Sequence, residues 1–170
     1  IVWAGDGATF DIGLGLVSGA AIRNADILYI VGDNNVYGNT GAQTSGATPE
    51  GARTTTSPHG KTEPIKDFMQ IMLAHRIPYY ASIALSPPTL DDFYAKVKRA
   101  ANLKGFRCLH ILEVCPPGWK CDSDSAPKLS ELAVSTRMFP LVEFVDGQLH
   151  LTEPKRQKPI KEFLELQGRF

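Results

Sequence analysis

The sequence predicts an α/β fold: a mostly parallel sheet with helices on both faces, carried by a single domain over residues 1–170. Short apolar runs of strand length alternate with stretches whose apolar residues recur at helical spacing. The alternation repeats along the chain, as strand–helix–strand units of a parallel sheet require. The chain, 170 residues long, 43% hydrophobic and 21% charged, is long enough to bury one sizeable core.

Ile1–Ala4 reads as a short buried strand, and a chain opening inside its core predicts preceding sequence. Asp11–Arg23 carries Ile12, Leu14, Leu16, Val17 and Ile22 with small residues between them, a closely packing helix. Ile27–Val31 is a solid apolar strand. The segment from Asp33 to Lys61 is rich in Gly, Thr, Ser, Asn and Pro and has no periodicity. It far exceeds the usual connection of ~4–6 residues, and such loops are usually functional. It also follows the carboxyl end of a strand, where ligands of open α/β sheets bind.

Pro64–His75 places Ile65, Phe68, Met69, Met72 and Leu73 at helical spacing, with Pro64 in the first turn and Thr62 as N-cap. Tyr79–Leu85 is a strand. Thr89–Leu103 is an amphipathic helix, with Leu90, Phe93, Val97 and Ala100 inward and Lys96, Lys98 and Arg99 outward. Cys108–Val114 is a buried strand, Cys115–Pro127 a loop and Lys128–Arg137 a short helix. Leu141–Val145 and Gln148–Thr152 form a hairpin around Asp146-Gly147, a strong turn pair. Pro159–Gln167 is the last helix.

Eighteen basic and eighteen acidic residues give zero net charge, which argues against nucleic acid as a partner. No apolar run approaches the roughly 20 residues that cross a bilayer. No basic stretch of a signal peptide opens the chain. The three cysteines, Cys108, Cys115 and Cys121, then read as reduced thiols of a cytoplasmic protein, or as metal or cluster ligands.

Gly5-Asp6-Gly7 ends the first strand. Its glycines let backbone N–H groups approach an anion, and the following helix offers its positive end to a phosphate. A carboxylate there would repel phosphate unless a cation bridges them. Mg²⁺ suits: it takes about six oxygens, usually one or two carboxylates plus substrate phosphates. The second strand ends in Asp33-Asn34-Asn35-Val36-Tyr37. Neighbouring parallel strands end side by side, so Asp6, the Asn34 amide oxygen and the Val36 carbonyl could meet at one ion. Gly5-Asp6-Gly7 alone would read as a tight turn; the pair of motifs argues for a site.

These motifs resemble the thiamine-diphosphate motif of many enzymes, in which an Asp, an Asn and the carbonyl two positions later bind the metal. Tyr37 sets the register, so that Asn34 rather than Asn35 matches the ligand; Asp33 stands where the family usually has the first Asn. The stretches GDGATFDIGLGLVSGA, RNADILYIVGDNNVYGNTGAQTSGATPEGARTTTSPHGK and HILEVCPPGW are similar to the thiamine-diphosphate-binding subunit of pyruvate and other 2-oxoacid:ferredoxin oxidoreductases. Asn39-Thr40-Gly41, then Gln43 and Thr48-Pro49, mark that group. The resemblance implies cofactor contacts from Gly5, Asp6, Gly7, Ala8, Asn34, Val36, Tyr37, Asn39 and Thr40, with Asn39 and Thr40 beside the thiazolium and the substrate.

It further implies oxidative decarboxylation of a 2-oxoacid such as pyruvate, with electrons passing to iron–sulfur clusters and ferredoxin and the acyl group to coenzyme A. Partner subunits that bind the pyrimidine ring and carry ferredoxin-like clusters are implied too, since the glutamate that activates the aminopyrimidine comes from a separate domain. Cys115, in VCPPGW, matches a [4Fe–4S] ligand whose three companions lie upstream in the family, in a segment absent here; Val114 replaces the usual Pro.

Other readings stay open: a relative acting on another oxoacid or on oxalate, a non-redox thiamine enzyme (a decarboxylase or carboligase), and a non-catalytic domain that takes another phosphate ligand. Gly60-Lys61-Thr62 mimics the end of a phosphate loop, but Thr55 stands where its first Gly belongs. Gly13, Gly15 and Gly19 miss the dinucleotide spacing, and His110 with Cys115 and Cys121 has no standard zinc spacing. His110 reads as a hydrogen-bonded core histidine, and Cys108 and Cys121 as structural. His59 could face substrate or solvent, and Lys61 a diphosphate, coenzyme A or solvent. Lys155, Arg156 and Lys158 read as a solvated stretch, with docking to a partner subunit as the alternative.

Overall fold

The computed structural model describes residues 1–170. In chain order its elements are β1 (Val2–Gly5), a π-helical turn (Gly7–Ile12), α1 (Leu14–Ile22), β2 (Leu28–Asp33), β3 (Val36–Tyr37), β4 (Gln43–Thr44), α2 (Phe68–Ala74), β5 (Tyr79–Ala84), α3 (Leu90–Asn102), β6 (Arg107–Leu112), α4 (Pro116–Trp119), α5 (Ala126–Ser135), β7 (Leu141–Val145), β8 (Gln148–Thr152) and α6 (Ile160–Glu165). Six strands form one sheet in the order β1-β2-β6-β5-β7-β8. The first four are parallel, and the β7–β8 hairpin adds an antiparallel edge. Asp146 and Gly147 both take positive φ, 53° and 76°, as a tight two-residue hairpin turn demands.

Alternation along the strands sends side chains to two cores. Tyr29, Val31, Tyr80 and Cys108 meet Val17 and Ala21 of α1 and Phe68 and Met72 of α2 on one face. Leu28, Tyr79, Ala81, Ile83, Leu109 and Ile111 meet Ala100 of α3 on the other. A third cluster, with Leu112, Trp119, Leu129, Leu132 and Phe163, caps the carboxyl ends of the central strands under α5 and α6. Phe10 stacks on Phe68 with ring centroids 4.6 Å apart, joining the π-helical turn to α2.

Several expected details differ. β1 is an exposed edge strand: Trp3 is 61% exposed, because no helix of this chain covers its face. The helix expected over Pro64–His75 starts only at Phe68, and Asp67 rather than Thr62 caps it, accepting from the Gln70 amide at 2.9 Å. An N-cap aspartate outcompetes the upstream threonine because it satisfies a free first-turn N–H. The Asp11–Arg23 helix divides into the π-helical turn and α1, with Ile12, Leu16 and Ile22 exposed. Lys96 is buried rather than outward: its ammonium donates to the Ser82 carbonyl at 3.0 Å and the Asp92 carboxylate at 2.8 Å. The Cys115–Pro127 loop contains the short helix α4, and the next helix begins at Ala126. The segment Asp33–Lys61 is dense with hydrogen bonds and carries the β3–β4 pair.

Candidate metal and diphosphate site

The site lies where β1 and β2 end side by side. Gly5 pairs with Gly32, so Asp6 and Asp33 leave the sheet as neighbours. The chain turns at Asp6 directly into the π-helical segment, a distortion that recurs at functional sites. Gly13 N–H donates to the Ala8 carbonyl at 2.7 Å, the wide spacing that defines the turn. Its start presents backbone N–H groups, with Gly7 buried and Ala8 exposed.

Asp6 is 1% exposed. Its Oδ2 accepts from Ser45 Oγ at 2.5 Å, and the backbone N–H of Asn34 also faces it. No lysine or arginine pairs with it. Burial, and then the neighbouring Asp33 carboxylate, raise its carboxyl to about 7. Asp33 is better supplied: it accepts from Asn35 N at 2.9 Å, from Asn35 Nδ2 at 2.8 Å and from His110 Nε2 at 2.7 Å. His110 Nδ1 lies 2.9 Å from the Tyr80 hydroxyl, and aromatic rings surround the imidazole, so it is the hydrogen-bonded core histidine expected.

The two asparagines differ in their partners. Asn34 is half-buried, its backbone N–H toward Asp6 and its Oδ1 accepting from Val36 N at 3.2 Å. Asn35, at φ 61°, turns its amide back toward Asp33 and Arg169. Val36 pairs with Thr44 in the β3–β4 ladder. Tyr37 reaches back over the turn, its hydroxyl 3.1 Å from the Gly7 carbonyl and 3.2 Å from Asp11 Oδ2. A Cβ on Gly7 would stand 2.3 Å from the Tyr37 ring. Gly7→Ala is therefore expected to cost about 1–3 kcal/mol and to displace Tyr37; a thermal melt and tyrosine fluorescence would check both.

Asp6, Asn34, Val36, Tyr37, Gly5, Gly7 and Ala8 thus converge at one edge. Asn39 and Thr40 sit apart from them at the exposed β3–β4 turn, where Thr40 and Gln43 bond each other. Cys115 is a half-buried residue preceding α4. No group of three or more His, Cys, Asp or Glu is placed to hold a metal, so Cys115 alone does not make a cluster site. Cys108 is fully buried in the sheet, its thiol pushed up by burial. Lys61 does not face solvent: it is buried, and its ammonium donates to the carbonyls of Thr48 at 2.8 Å and Pro64 at 3.1 Å. His59 is exposed on the same loop.

Ser45, Asp11, Trp119 and Arg169 were not among the expected site residues. Asp11 accepts from Gly46 N at 2.8 Å and pairs with Lys66 at 2.9 Å, pinning the long loop over the turn. A cavity of about 330 Å³ lies behind Asp33 and Asn35 among Phe10, Phe68, Phe139 and Trp119, not at the Asp6 edge. For the cofactor chemistry, the donor set at Asp6 is the better guide.

A mixed, largely parallel sheet with its polar residues gathered at adjoining strand ends is the architecture of an open α/β domain that binds ligands at the carboxyl edge of its sheet. Residues 1–111 match the family model for the thiamine pyrophosphate enzyme, C-terminal TPP binding domain, and the chain belongs to that family. It is 44% identical to ketoisovalerate oxidoreductase subunit VorB of Pyrococcus abyssi, over 99% of this chain and 56% of the relative. It is 43% identical to pyruvate synthase subunit PorB of Methanocaldococcus jannaschii, over 100% of this chain and 58% of the relative. Among solved structures it resembles a 2-oxoglutarate:ferredoxin oxidoreductase of Magnetococcus marinus, with a TM-score of 0.62 at 23% identity, over 95% of this chain and 58% of the other. The chain spans little more than half the length of these proteins. No helix is long and apolar enough to cross a membrane.

Proposed function

We propose that this chain is the thiamine-diphosphate- and Mg²⁺-binding part of a 2-oxoacid:ferredoxin oxidoreductase. The observation that carries the reading is Asp6, a buried carboxylate with no basic partner, beside Asn34 and at the mouth of a turn rich in free N–H groups. An uncompensated buried carboxylate is costly, and a bound cation offsets that cost. Asp6, the Asn34 amide oxygen and the Val36 carbonyl would hold the metal. The N–H groups of Gly7 and Ala8 would take diphosphate oxygens, with Gly5 allowing close approach and Tyr37 packing over the turn. Asn39 and Thr40, on the exposed β3–β4 turn, would face the thiazolium and substrate once a partner domain closes over them.

Bound thiamine diphosphate would supply the chemistry that releases CO₂ from a 2-oxoacid. This chain grips the diphosphate end, aims the ring and keeps water from the metal's protein ligands. In the family that the motifs resemble, the carboxyl that activates the aminopyrimidine comes from a separate domain, so activity would require the pyrimidine-binding partner subunit. Ferredoxin-like subunits, ferredoxin and coenzyme A complete the proposed system, in the cytoplasm. The substrate is a 2-oxoacid: ketoisovalerate, pyruvate and 2-oxoglutarate appear in the names of its relatives and structural neighbour.

Cys115 is proposed as one thiolate of a [4Fe–4S] cluster whose other ligands lie outside these residues. Cys115→Ser in the assembled protein is expected to alter one cluster's EPR signal; an unchanged spectrum would remove Cys115 from the ligand set. The reading as a whole is tested by titrating the protein with thiamine diphosphate, with and without Mg²⁺, by calorimetry. Saturable binding that requires Mg²⁺ is expected. Binding indifferent to the metal would refute the assigned metal site.

A further inference from the structure

We propose that Arg169 and Trp119 are positioning residues for the metal loop, clamping Asn34-Asn35 from behind so that Asn34 and Val36 face Asp6; this rests on the cofactor reading above. Both residues lie outside the motifs that bind the cofactor, and α4 and the chain's last residues bring them together. Trp119 Nε1 donates to the Asn34 carbonyl at 2.8 Å. Arg169 Nη1 donates to Asn35 Oδ1 at 3.2 Å. The guanidinium lies 3.7 Å above the Trp119 ring, so the two act as one unit. Gln167 orients it by accepting from Nε at 2.6 Å, and Thr48 Oγ1 fixes the remaining carbonyl of Asn35 at 2.6 Å. The Asn34–Asn35 turn is thereby tied at both carbonyls and at one side chain.

The expense of this arrangement argues for a role beyond folding. Arg169 is 1% exposed, forms no ion pair, and leaves Nη2 without a hydrogen-bond partner. Burial pulls its pKa down to about 9, with Asp33 the main opposing influence. A buried guanidinium adds little stability when an amide is its acceptor. It does supply a rigid planar fork, which a neutral residue could not. It also offsets the charge of Asp33, leaving Asp6 as the carboxylate free for a cation. The packing is tight on this side as well: a Cβ on Gly118 would stand 2.9 Å from Val36 Cγ2.

A rigid loop matters most for a metal with strict geometry. Mg²⁺ demands near-octahedral ligands at about 2.0–2.1 Å, whereas Ca²⁺ tolerates longer and irregular ones. Loosening the clamp should thus weaken Mg²⁺-supported binding more than Ca²⁺-supported binding. The test uses the full-length protein with its partner subunits and reads thiamine diphosphate affinity by calorimetry, in Mg²⁺ and separately in Ca²⁺. Arg169→Met, Trp119→Phe and Asn35→Ala are each expected to raise the thiamine diphosphate dissociation constant in Mg²⁺ about ten-fold or more, the scale of a lost buried hydrogen bond. The Mg²⁺/Ca²⁺ preference should fall with it, and Arg169→Met combined with Asn35→Ala should be less than additive.

Lower melting temperatures with an unchanged Mg²⁺/Ca²⁺ preference would mean a purely structural role and overturn the proposal. So would unchanged affinity in Mg²⁺. If Arg169→Met does not fold, Trp119→Phe, which keeps the aromatic platform, decides the matter by the same two readings. Failure of the unmodified protein to bind thiamine diphosphate in Mg²⁺ would overturn the cofactor reading and this proposal with it; normal wild-type binding with unaffected variants overturns the clamp alone.

Discussion

Asp6→Asn is expected to stabilise the metal-free protein while abolishing its Mg²⁺-dependent affinity for thiamine diphosphate. Both effects have one source. The carboxylate is buried, faces Asp33, and has Ser45 as its only side-chain donor. Its carboxyl rises from 3.8 to about 7, so the folded chain holds a proton that the unfolded chain releases. For a raised carboxyl, stability is highest below the unfolded value near 4 and falls as pH rises toward about 7; above that it levels off. Asparagine removes the titration. At pH 8 the variant should be about 1–3 kcal/mol more stable in urea unfolding, and at pH 4 the difference should vanish. The gain stays below the full electrostatic value because asparagine offers one acceptor oxygen where the carboxylate offers two. With Mg²⁺ and cofactor present the order reverses, since only the carboxylate can use the cation. A variant less stable than wild type at pH 8 would sink the electrostatic argument; retained Mg²⁺-dependent affinity would remove Asp6 from the metal set.

The part of the site that was legible in the sequence is the part written in consecutive residues. Gly5-Asp6-Gly7 and Asp33-Asn34-Asn35 each end a strand, and parallel pairing alone brings two such ends together. The sheet was legible for the same reason: β5, β6 and the β7–β8 hairpin are local apolar patterns with clear turn residues. What escaped were contacts made across the chain. Ser45 reaches Asp6 from inside a loop with no periodicity, and Arg169 reaches Asn35 from the far end of the sequence. Neither residue type signals such a role, because serine and arginine are ordinary surface residues. Lys61 and Lys96 misled for that reason as well: each buries its ammonium against carbonyl oxygens, which no pattern of charges announces. The helix start at Phe68 was missed because Pro64 and Thr62 mimic an N-terminus that Asp67 supplies.

Asn34→Ala is expected to weaken Mg²⁺-dependent thiamine diphosphate binding by about a hundred-fold or more, and Asn35→Ala by about ten-fold. The difference follows from what each side chain already bonds. Asn34 Oδ1 already accepts from Val36 N, yet an amide oxygen has two lone pairs, so it can bind a cation and keep that bond. Losing it removes one of about six oxygens from an ion that tolerates few vacancies. Asn35 touches Asp33 and Arg169 instead, so its loss acts through the loop, on the scale of 10–100-fold that supporting hydrogen bonds contribute at metal sites. The fold should survive both changes, since Asn34 is only half-buried and alanine at Asn35 adds the strain of its φ of 61° to the loss of two side-chain hydrogen bonds. Calorimetric titration of both variants at fixed Mg²⁺ compares them directly. A greater loss with Asn35→Ala would place the metal ligand one residue further along and turn Asn34 into the supporting residue.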